Sequence, residues 1–301
     1  MRRVLVTGAT GFIGRPAVAH LLSLGVEVHG ICRNPTARAQ GVVWHQADLL
    51  ERRTVAHLLA EVAPTDLLHL AWETAHGSFW ADPRNLDWVA ASLDLLRAFA
   101  GSGGKRVVMV GTCAEYDWQT DASGPLPWRE DRAIDPQTLY GAAKHSLHLL
   151  SARFAHTAGL SLSWARLFQL SGPGEQEQRL IASLAGTLRA GLPARSGPAD
   201  RMLDIIHSHD AGRGLAHLLL SRLEGPVNIC TGNPVSLGTI VHQLASLAGR
   251  PDLAAPGTLP IRPGDPSFLV GDPGRLAATG FTPEYGLADI LAHAMGPMPG
   301  A

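Results

Sequence analysis

VLVTGATGFIG, residues 4–14, is the most informative segment of this chain of 301 residues. Residues 4–7 are apolar or β-branched and are typical of a buried strand. Glycines 8, 11 and 14 follow with the spacing G-x-x-G-x-x-G, and a helical pattern begins at Pro16. Glycine lets the backbone turn tightly and approach a pyrophosphate, and a helix N-terminus offers free N–H groups to it. The segment therefore predicts a strand, a turn and a helix that hold a dinucleotide.

The alternation of strand and helix patterns continues over about the first 165 residues. Further strands are predicted at 26–32, 42–45, 66–70, 106–111 and 160–167, with helices at 16–24, 53–62, 86–100 and 140–157. This order predicts an α/β fold with a Rossmann-type, doubly wound parallel sheet and helices on both faces.

The predicted elements become shorter after about residue 166. Helices are expected at 180–190, 210–221 and 237–248, a strand at 226–230, and a proline-rich loop at 251–273. We therefore predict a dinucleotide-binding Rossmann domain at 1–165 and a smaller C-terminal α/β substrate-binding lobe at 166–301. Part of 200–232 is a candidate to return to the first domain.

Composition excludes several classes of function. The formal net charge is −1 and no basic block occurs, which argues against nucleic acid and anionic membranes as partners. No apolar run approaches the ~20 residues that span a bilayer, and no signal peptide is expected. Three scattered cysteines and fourteen histidines without ligand spacing predict neither a disulfide framework nor a metal site. A cytoplasmic globular protein is expected.

The charged residues that follow the second and third predicted strands indicate which nicotinamide cofactor binds. Arg33 follows the second strand about 20 residues after the glycines, where NAD sites have an acidic residue and NADP sites have arginine for the 2′-phosphate. The position of Arg33 favours NADP(H), with NAD(H) as the alternative. An arginine that lies at the surface without binding the cofactor is the other interpretation. Asp48 and Leu49 follow the third strand and could contact the adenine, or Asp48 could cap the next helix.

An acid–base pair is predicted at Tyr140 and Lys144. The two lie at i and i+4 on one face of a helix. An ammonium near a phenol favours the phenolate, so we expect Lys144 to lower the pKa of Tyr140. The phenol could then give a proton to a carbonyl oxygen or take one from a hydroxyl. Thr112 follows the apolar strand at 106–111 and could hydrogen-bond the reacting oxygen, or it could cap a turn.

These motifs resemble the extended short-chain dehydrogenase/reductase family, also called the NAD-dependent epimerase/dehydratase family. Residues 7–14 are similar to its cofactor signature, 69–71 to the segment on the nicotinamide side, and 166–168 with 172–173 to the crossing into the substrate lobe. Residues 203–210 resemble its "RDFIHVDD" stretch. The resemblance implies catalytic roles for Thr112, Tyr140 and Lys144. It implies cofactor binding by Gly8, Thr10, Gly11, Phe12, Ile13, Gly14, Arg33, Asp48, Leu49, Leu70, Ala71, Tyr140, Lys144 and Leu167.

The departures from the family pattern reduce the number of reactions expected of this chain. Sugar-nucleotide dehydratases carry Asp-Glu after the catalytic threonine, where this chain has Cys113 and Ala114, so dehydration is disfavoured. Gln169 stands where many members have Asn, and Leu203 replaces the Arg of "RDF", although Arg201 is near. Segments 69–73 and 111–118 are similar to those of deoxysugar 4-ketoreductases.

The resemblance thus implies NAD(P)H-dependent reduction of a keto group, at C4, on a nucleotide-diphosphate 4-keto-6-deoxyhexose. Alternatives are a nucleotide-sugar 4-epimerase with tightly bound NAD, a reductase of a smaller ketone or aldehyde, and an inactive NADP-sensing binding protein. A homodimer is implied. The expected substrate-binding residues are Trp72, Thr112, Gln169, Arg179, Arg195 and Arg262. Three tryptophans (72, 80 and 88) could line the pocket or belong to the core, and Glu73 and Glu115 could orient sugar hydroxyls or be structural.

Overall fold

The computed structural model describes residues 2–34, 39–75, 77–119, 125–261 and 264–296, with the side chains of 52–54 left out. The strands are β1 Arg3–Thr7, β2 Glu27–Cys32, β3 Val42–Gln46, β4 Asp66–His69, β5 Arg106–Thr112, β6 Ser161–Leu167, β7 Gln169–Ser171, β8 Ala194–Arg195, β9 Met202–Leu203, β10 Ile205–His207, β11 Gly225–Ile229, β12 Val235–Ser236, β13 Ala254–Ala255 and β14 Phe268–Leu269. The larger part of the structure is a seven-stranded parallel sheet with the strand order β11-β6-β5-β4-β1-β2-β3. The order reverses between β1 and β4. In such sheets ligands bind in the crevice at this point, outside the carboxyl ends of the strands.

Helices cover both faces of the sheet, because its central strands are apolar on both sides. The helices are α1 Gly14–Ser23, α2 Arg52–Val62, α3 Arg84–Gly101, α4 Leu139–Ala158, α5 Leu180–Arg189, α6 Ser208–Leu220, α7 Leu237–Leu247, α8 Gly274–Ala277 and α9 Leu287–Met295. One face carries α1 and α6 over the buried side chains of Val4, Val6 and Val108. The two helices pack so closely that a Cβ on Gly212 would lie 2.7 Å from the Ala17 nitrogen. The other face carries α2, α3 and α4.

The remaining elements build a second core beside the carboxyl edge of the sheet. Helices α5, α7 and α9 pack together with the short strands β8, β9 and β14. In contrast, β11 and α6 belong to the large sheet and its helical layer, although they come late in the chain. The predicted Rossmann-type fold is confirmed, whereas the division at residue 165 remains a proposal.

Candidate active site

The glycine turn after β1 is packed as a dinucleotide-binding turn requires. Gly8 has a φ of +67°, which favours glycine, and a Cβ there would lie 2.8 Å from the Ala71 nitrogen. A Cβ on Gly14 would lie 2.0 Å from the Gly8 carbonyl oxygen. The N–H groups of Phe12, Ile13 and Gly14 at the start of α1 have no backbone acceptor among the described residues, whereas those of Arg15 and Ala17 donate to carbonyls just before the helix. With Thr10, Phe12 and Ile13 only partly covered, the three free N–H groups fit the pyrophosphate of a dinucleotide.

A buried hydrogen-bond network fixes the segment after β4 beside this turn. The Thr7 hydroxyl lies 2.7 Å from His69 Nδ1 and accepts from the N–H groups of Leu70 and Ala71 at 3.2 and 3.3 Å. It therefore donates to Nδ1, which leaves the proton of His69 on Nε2, 2.8 Å from the Ser92 hydroxyl. Burial lowers the pKa of His69 to about 3, so the ring stays neutral. The network holds residues 70 and 71 at the crevice, where the sequence predicts the nicotinamide side.

The predicted ribose and adenine residues follow β2 and β3 at the same edge of the sheet. Arg33 is exposed directly after β2. Asp48 is half-buried and its carboxylate accepts from Leu50 N at 3.0 Å, while Leu49 is buried. Asp48 closes a local turn and does not cap α2, whose N-cap is Glu51. The helix-cap alternative for Asp48 is therefore wrong, and its adenine contact remains a prediction.

Thr112 and Tyr140 come together where β5 ends and α4 begins. Thr112 is the last residue of β5, and its hydroxyl accepts from Ala114 N at 3.2 Å. Leu167 lies beside Thr112 at the end of the neighbouring strand, β6. Gly141 lies so close to the turn after β5 that a Cβ would be 2.5 Å from the Ala114 carbonyl oxygen. This contact places the preceding residue, Tyr140, within reach of the Thr112 hydroxyl. Both side chains are buried at the carboxyl end of the central strands.

The amine of Lys144 contacts the end of β5 and the Trp72 ring. Its Nζ donates to the Val110 carbonyl oxygen at 2.8 Å and lies 3.7 Å from the centre of the Trp72 ring. Burial lowers the pKa of Lys144 to about 7. Burial also raises the pKa of Tyr140, against the opposing effect of the Thr112 hydroxyl. The expectation of a lowered tyrosine pKa is therefore wrong here, because desolvation of the phenolate outweighs any charge effect.

An aromatic enclosure surrounds Tyr140. Its ring centre lies 5.0 Å from that of Phe79, 5.7 Å from that of Trp80 and 6.4 Å from that of Trp72. Trp88 is buried behind Trp72, with 6.0 Å between their ring centres. The three predicted tryptophans thus differ: Trp88 belongs to the core, Trp72 contacts Lys144 and Tyr140, and Trp80 faces a cavity.

Glu115 has a structural role. Its side chain is fully buried, pairs with Arg166 Nε at 3.1 Å and accepts from Trp164 Nε1 at 2.9 Å. Two histidines of α4, His145 and His148, also lie near it, and within the described residues these three offer ligand atoms within 4.8 Å of one another. Because the carboxylate already accepts these hydrogen bonds and a guanidinium adjoins it, the arrangement is unfavourable for a cation.

A cavity of about 370 Å³ extends from Phe79, Trp80 and Trp118 into the second lobe. It brings together three of the predicted substrate residues, Gln169, Arg179 and Arg195. Trp72 and Thr112 are not among its lining residues, and Arg262 lies outside the described residues. Further polar lining residues are Glu175, Gln178, Ser183, Ser196, Arg201 and Asp265.

Sequence reasoning did not single out two features of this cavity. Arg201 Nη1 pairs with Asp265 Oδ2 at 2.6 Å, although 64 residues separate them. Glu175 accepts a hydrogen bond from the Ser171 hydroxyl at 2.7 Å, and burial raises the pKa of Glu175 to about 7. Glu175 lies in an irregular loop, so no periodic pattern pointed to it.

His207 and His209 lie close together. Their i, i+2 spacing would turn the two side chains apart on a helix, but His207 is the extended N-cap of α6, so its geometry is not helical. Their ring centres lie 5.0 Å apart, and His207 Nε2 lies 3.0 Å from His293 Nδ1.

No helix within the described ranges is long and apolar enough to cross a bilayer.

The family model for the NAD dependent epimerase/dehydratase family matches residues 4–230.

Characterised relatives carry out several reactions. The chain is 26% identical over 247 residues to a dTDP-6-deoxy-L-talose 4-dehydrogenase (NAD(+)) from Aggregatibacter actinomycetemcomitans, covering 80% of this chain and 88% of the relative. It is 28% identical over 256 residues to a GDP-6-deoxy-D-mannose reductase from Pseudomonas aeruginosa, covering 82% and 80%. Among solved structures, Thermus thermophilus UDP-glucose 4-epimerase in complex with NAD superposes with a TM-score of 0.82 at 26% identity, covering 98% of this chain and 99% of that one.

The family match spans most of the chain and includes the glycine turn, Thr112, Tyr140 and Lys144. The chain therefore belongs to the NAD-dependent epimerase/dehydratase family and is an NAD(P)-dependent enzyme of the extended short-chain dehydrogenase/reductase type.

Proposed function

We propose that the enzyme reduces the C4 keto group of a nucleotide-diphosphate 4-keto-6-deoxyhexose. The observation that carries the proposal is the common location of two sets of residues. Thr112 and Tyr140 are buried at the carboxyl end of the parallel sheet, the end that also carries the glycine turn, and two of the aromatic residues around Tyr140, Phe79 and Trp80, line a cavity that also holds Arg179 and Arg195. A carbonyl at the aromatic end would thus meet an acid while its diphosphate meets guanidinium groups.

The cofactor would supply hydride to the carbonyl carbon. Tyr140 gives its proton to the carbonyl oxygen, and Thr112 positions that oxygen by a hydrogen bond. The raised pKa of Tyr140 suits this direction, because the phenol stays protonated at neutral pH until negative charge develops on the oxygen. Lys144 is assigned to binding the nicotinamide ribose. Glycines 8, 11 and 14, with the first turn of α1, would hold the pyrophosphate.

NADP(H) is the proposed cofactor, with NAD(H) as the alternative. The support is Arg33, which is exposed where a 2′-phosphate would lie beside the end of β2. The proposed adenine and nicotinamide contacts are made by Asp48, Leu49, Leu70, Ala71 and Leu167.

The test is a spectrophotometric assay of NADPH oxidation with dTDP-4-keto-6-deoxyglucose and its UDP and GDP counterparts. Tyr140→Phe should reduce kcat by at least about 100-fold while NADPH still binds, since the variant loses only the acid. Tyr285→Phe is the matched control and should remain active. Full activity in Tyr140→Phe would refute the assignment of the acid.

The alternative function is a nucleotide-sugar 4-epimerase, favoured by the similarity to the Thermus thermophilus epimerase. An epimerase would be purified with tightly bound NAD and would interconvert UDP-glucose and UDP-galactose without net consumption of cofactor. Release of the nucleotide from denatured protein and its identification by absorbance and mass distinguish the two functions.

A homodimer is part of the proposal. Leu149 and Leu150 on α4 are 54% and 53% exposed. Two adjacent leucines with so much exposed apolar surface favour a helix face that a second subunit covers. Sedimentation of the full chain tests it. A cytoplasmic location remains a prediction.

A further inference from the structure

The cavity contains a carboxyl group that has no basic partner. Glu175 lines it and accepts from the Ser171 hydroxyl at 2.7 Å, and within the described part of the chain no basic nitrogen lies within 4.0 Å of its carboxylate. Asp265, the other carboxylate in the lining, is paired with Arg201 at 2.6 Å. Of the two acidic residues in the cavity lining, Glu175 is therefore the one without a salt bridge, and its protonation state depends on burial and on more distant charges.

The charged groups that face Glu175 can be identified. The charge of Arg179, the N-cap of α5, favours the carboxylate, as do hydrogen bonds from the Ser171 hydroxyl and the backbone of Gly172. Arg195 and the Arg201–Asp265 pair line the same cavity, and His207 lies beyond Gly172. Burial outweighs these influences and raises the pKa of Glu175 to about 7, so the group carries a proton part of the time at neutral pH.

An anionic ligand changes this balance. A diphosphate held by Arg179 would place two negative charges in the same cavity and neutralise the arginine that favours the carboxylate. Like charges in a partly desolvated site favour protonation of the weaker acid. A protonated carboxyl group, unlike a carboxylate, can also donate a hydrogen bond to a phosphate or hydroxyl oxygen.

We propose that Glu175 couples the binding of the nucleotide-diphosphate sugar to the uptake of one proton, and that its protonated carboxyl group donates a hydrogen bond to the ligand. The inference rests on the proposed function, because it needs a diphosphate in this cavity. Glu175 is a substrate-binding residue in this account and takes no part in hydride or proton transfer to the carbonyl.

The test is isothermal titration calorimetry of the full chain with UDP-glucose, dTDP-glucose, GDP-glucose and CDP-glucose between pH 6 and pH 9. Nucleotide sugars are chosen because their diphosphate carries no proton that titrates in this range. Affinity should fall about tenfold per pH unit above pH 7, because the free protein must then take up a proton to bind. Titrations at pH 8.5 in two buffers of different ionisation enthalpy should give uptake of close to one proton.

Glu175→Gln is the central variant because its amide cannot ionise. Its affinity should be independent of pH over this range and, at pH 9, about 100-fold higher than that of the wild type. Glu177→Gln is the matched control: it removes the same charge from an exposed position of the same loop and should follow the wild type. Ser171→Ala removes the hydroxyl that favours the carboxylate, so it should shift the fall in affinity to higher pH.

The outcomes separate this inference from the proposed function. Binding that is independent of pH in the wild type, or equally dependent on pH in Glu175→Gln, overturns the role of Glu175 and leaves the substrate class intact. Failure of all four nucleotide sugars to bind at any pH overturns the substrate class and the inference with it.

Discussion

The stability of the protein should depend on pH through one buried amine. Lys144 is 4% exposed, and burial lowers its pKa from 10.5 to about 7. At roughly 1.4 kcal/mol per pKa unit, the charged amine costs about 5 kcal/mol in the folded state. Below pH 7 the lysine is protonated in both states and the full cost is present. Between pH 7 and pH 10.5 only the unfolded state keeps the proton, so wild-type stability gains with rising pH.

The perturbation is Lys144→Met, measured by urea unfolding at pH 6, 7, 8 and 9.5 beside the wild type. The methionine loses the hydrogen bond to Val110 at every pH. The quantity to follow is therefore how the difference in free energy of unfolding between Lys144→Met and the wild type changes with pH. We expect the stability of Lys144→Met relative to the wild type to fall by about 3 kcal/mol between pH 7 and pH 9.5. Lys105→Met, which removes the exposed lysine of the chain, is the matched control and should keep the wild-type slope.

The chain has only two lysines, so the titration can also be observed directly. Protein labelled with ¹³C-lysine should give two Cε signals, assigned with Lys105→Arg, and that of Lys144 should titrate near pH 7. A Lys144 midpoint near pH 10, or parallel stability profiles for wild type and Lys144→Met, would refute the argument from burial.

Three further predictions concern the turn, the cofactor and the buried ion pair. Gly14→Ala forces a Cβ to within 2.0 Å of the Gly8 oxygen, so fluorescence titration should show NADPH binding at least about tenfold weaker, whereas Gly101→Ala, in open space, should bind normally. Arg33→Ala should weaken NADPH binding by about tenfold or more and leave NADH binding unchanged, and an equal loss for both would contradict the 2′-phosphate assignment. Glu115→Gln leaves Arg166 buried without its counter-ion and should cost roughly 3–5 kcal/mol in urea unfolding. The double variant with Arg166→Met should recover much of that loss, and equal stability of single and double variants would contradict it.

The family of the protein could be predicted from short-range patterns. The glycines at 8, 11 and 14 and the i, i+4 spacing of Tyr140 and Lys144 are local features, and the helix or strand that carries them fixes the geometry of neighbours in sequence. Alternation of apolar strands and helices likewise predicted the parallel sheet, because each element must bury its apolar face against a neighbouring layer.

The electrostatics of the site could not be predicted in this way. The direction of Lys144 toward Val110 and Trp72, the pairing of Glu115 with Arg166 51 residues later, and the burial of Glu175 all depend on segments far apart in the chain. The pKa of a side chain depends on how much water it loses, and only the packed tertiary structure determines that loss. The sequence alone therefore determined the family and the fold, whereas the tertiary structure decided which groups face the cavity and which of them carry a charge, because desolvation is a property of the assembled core.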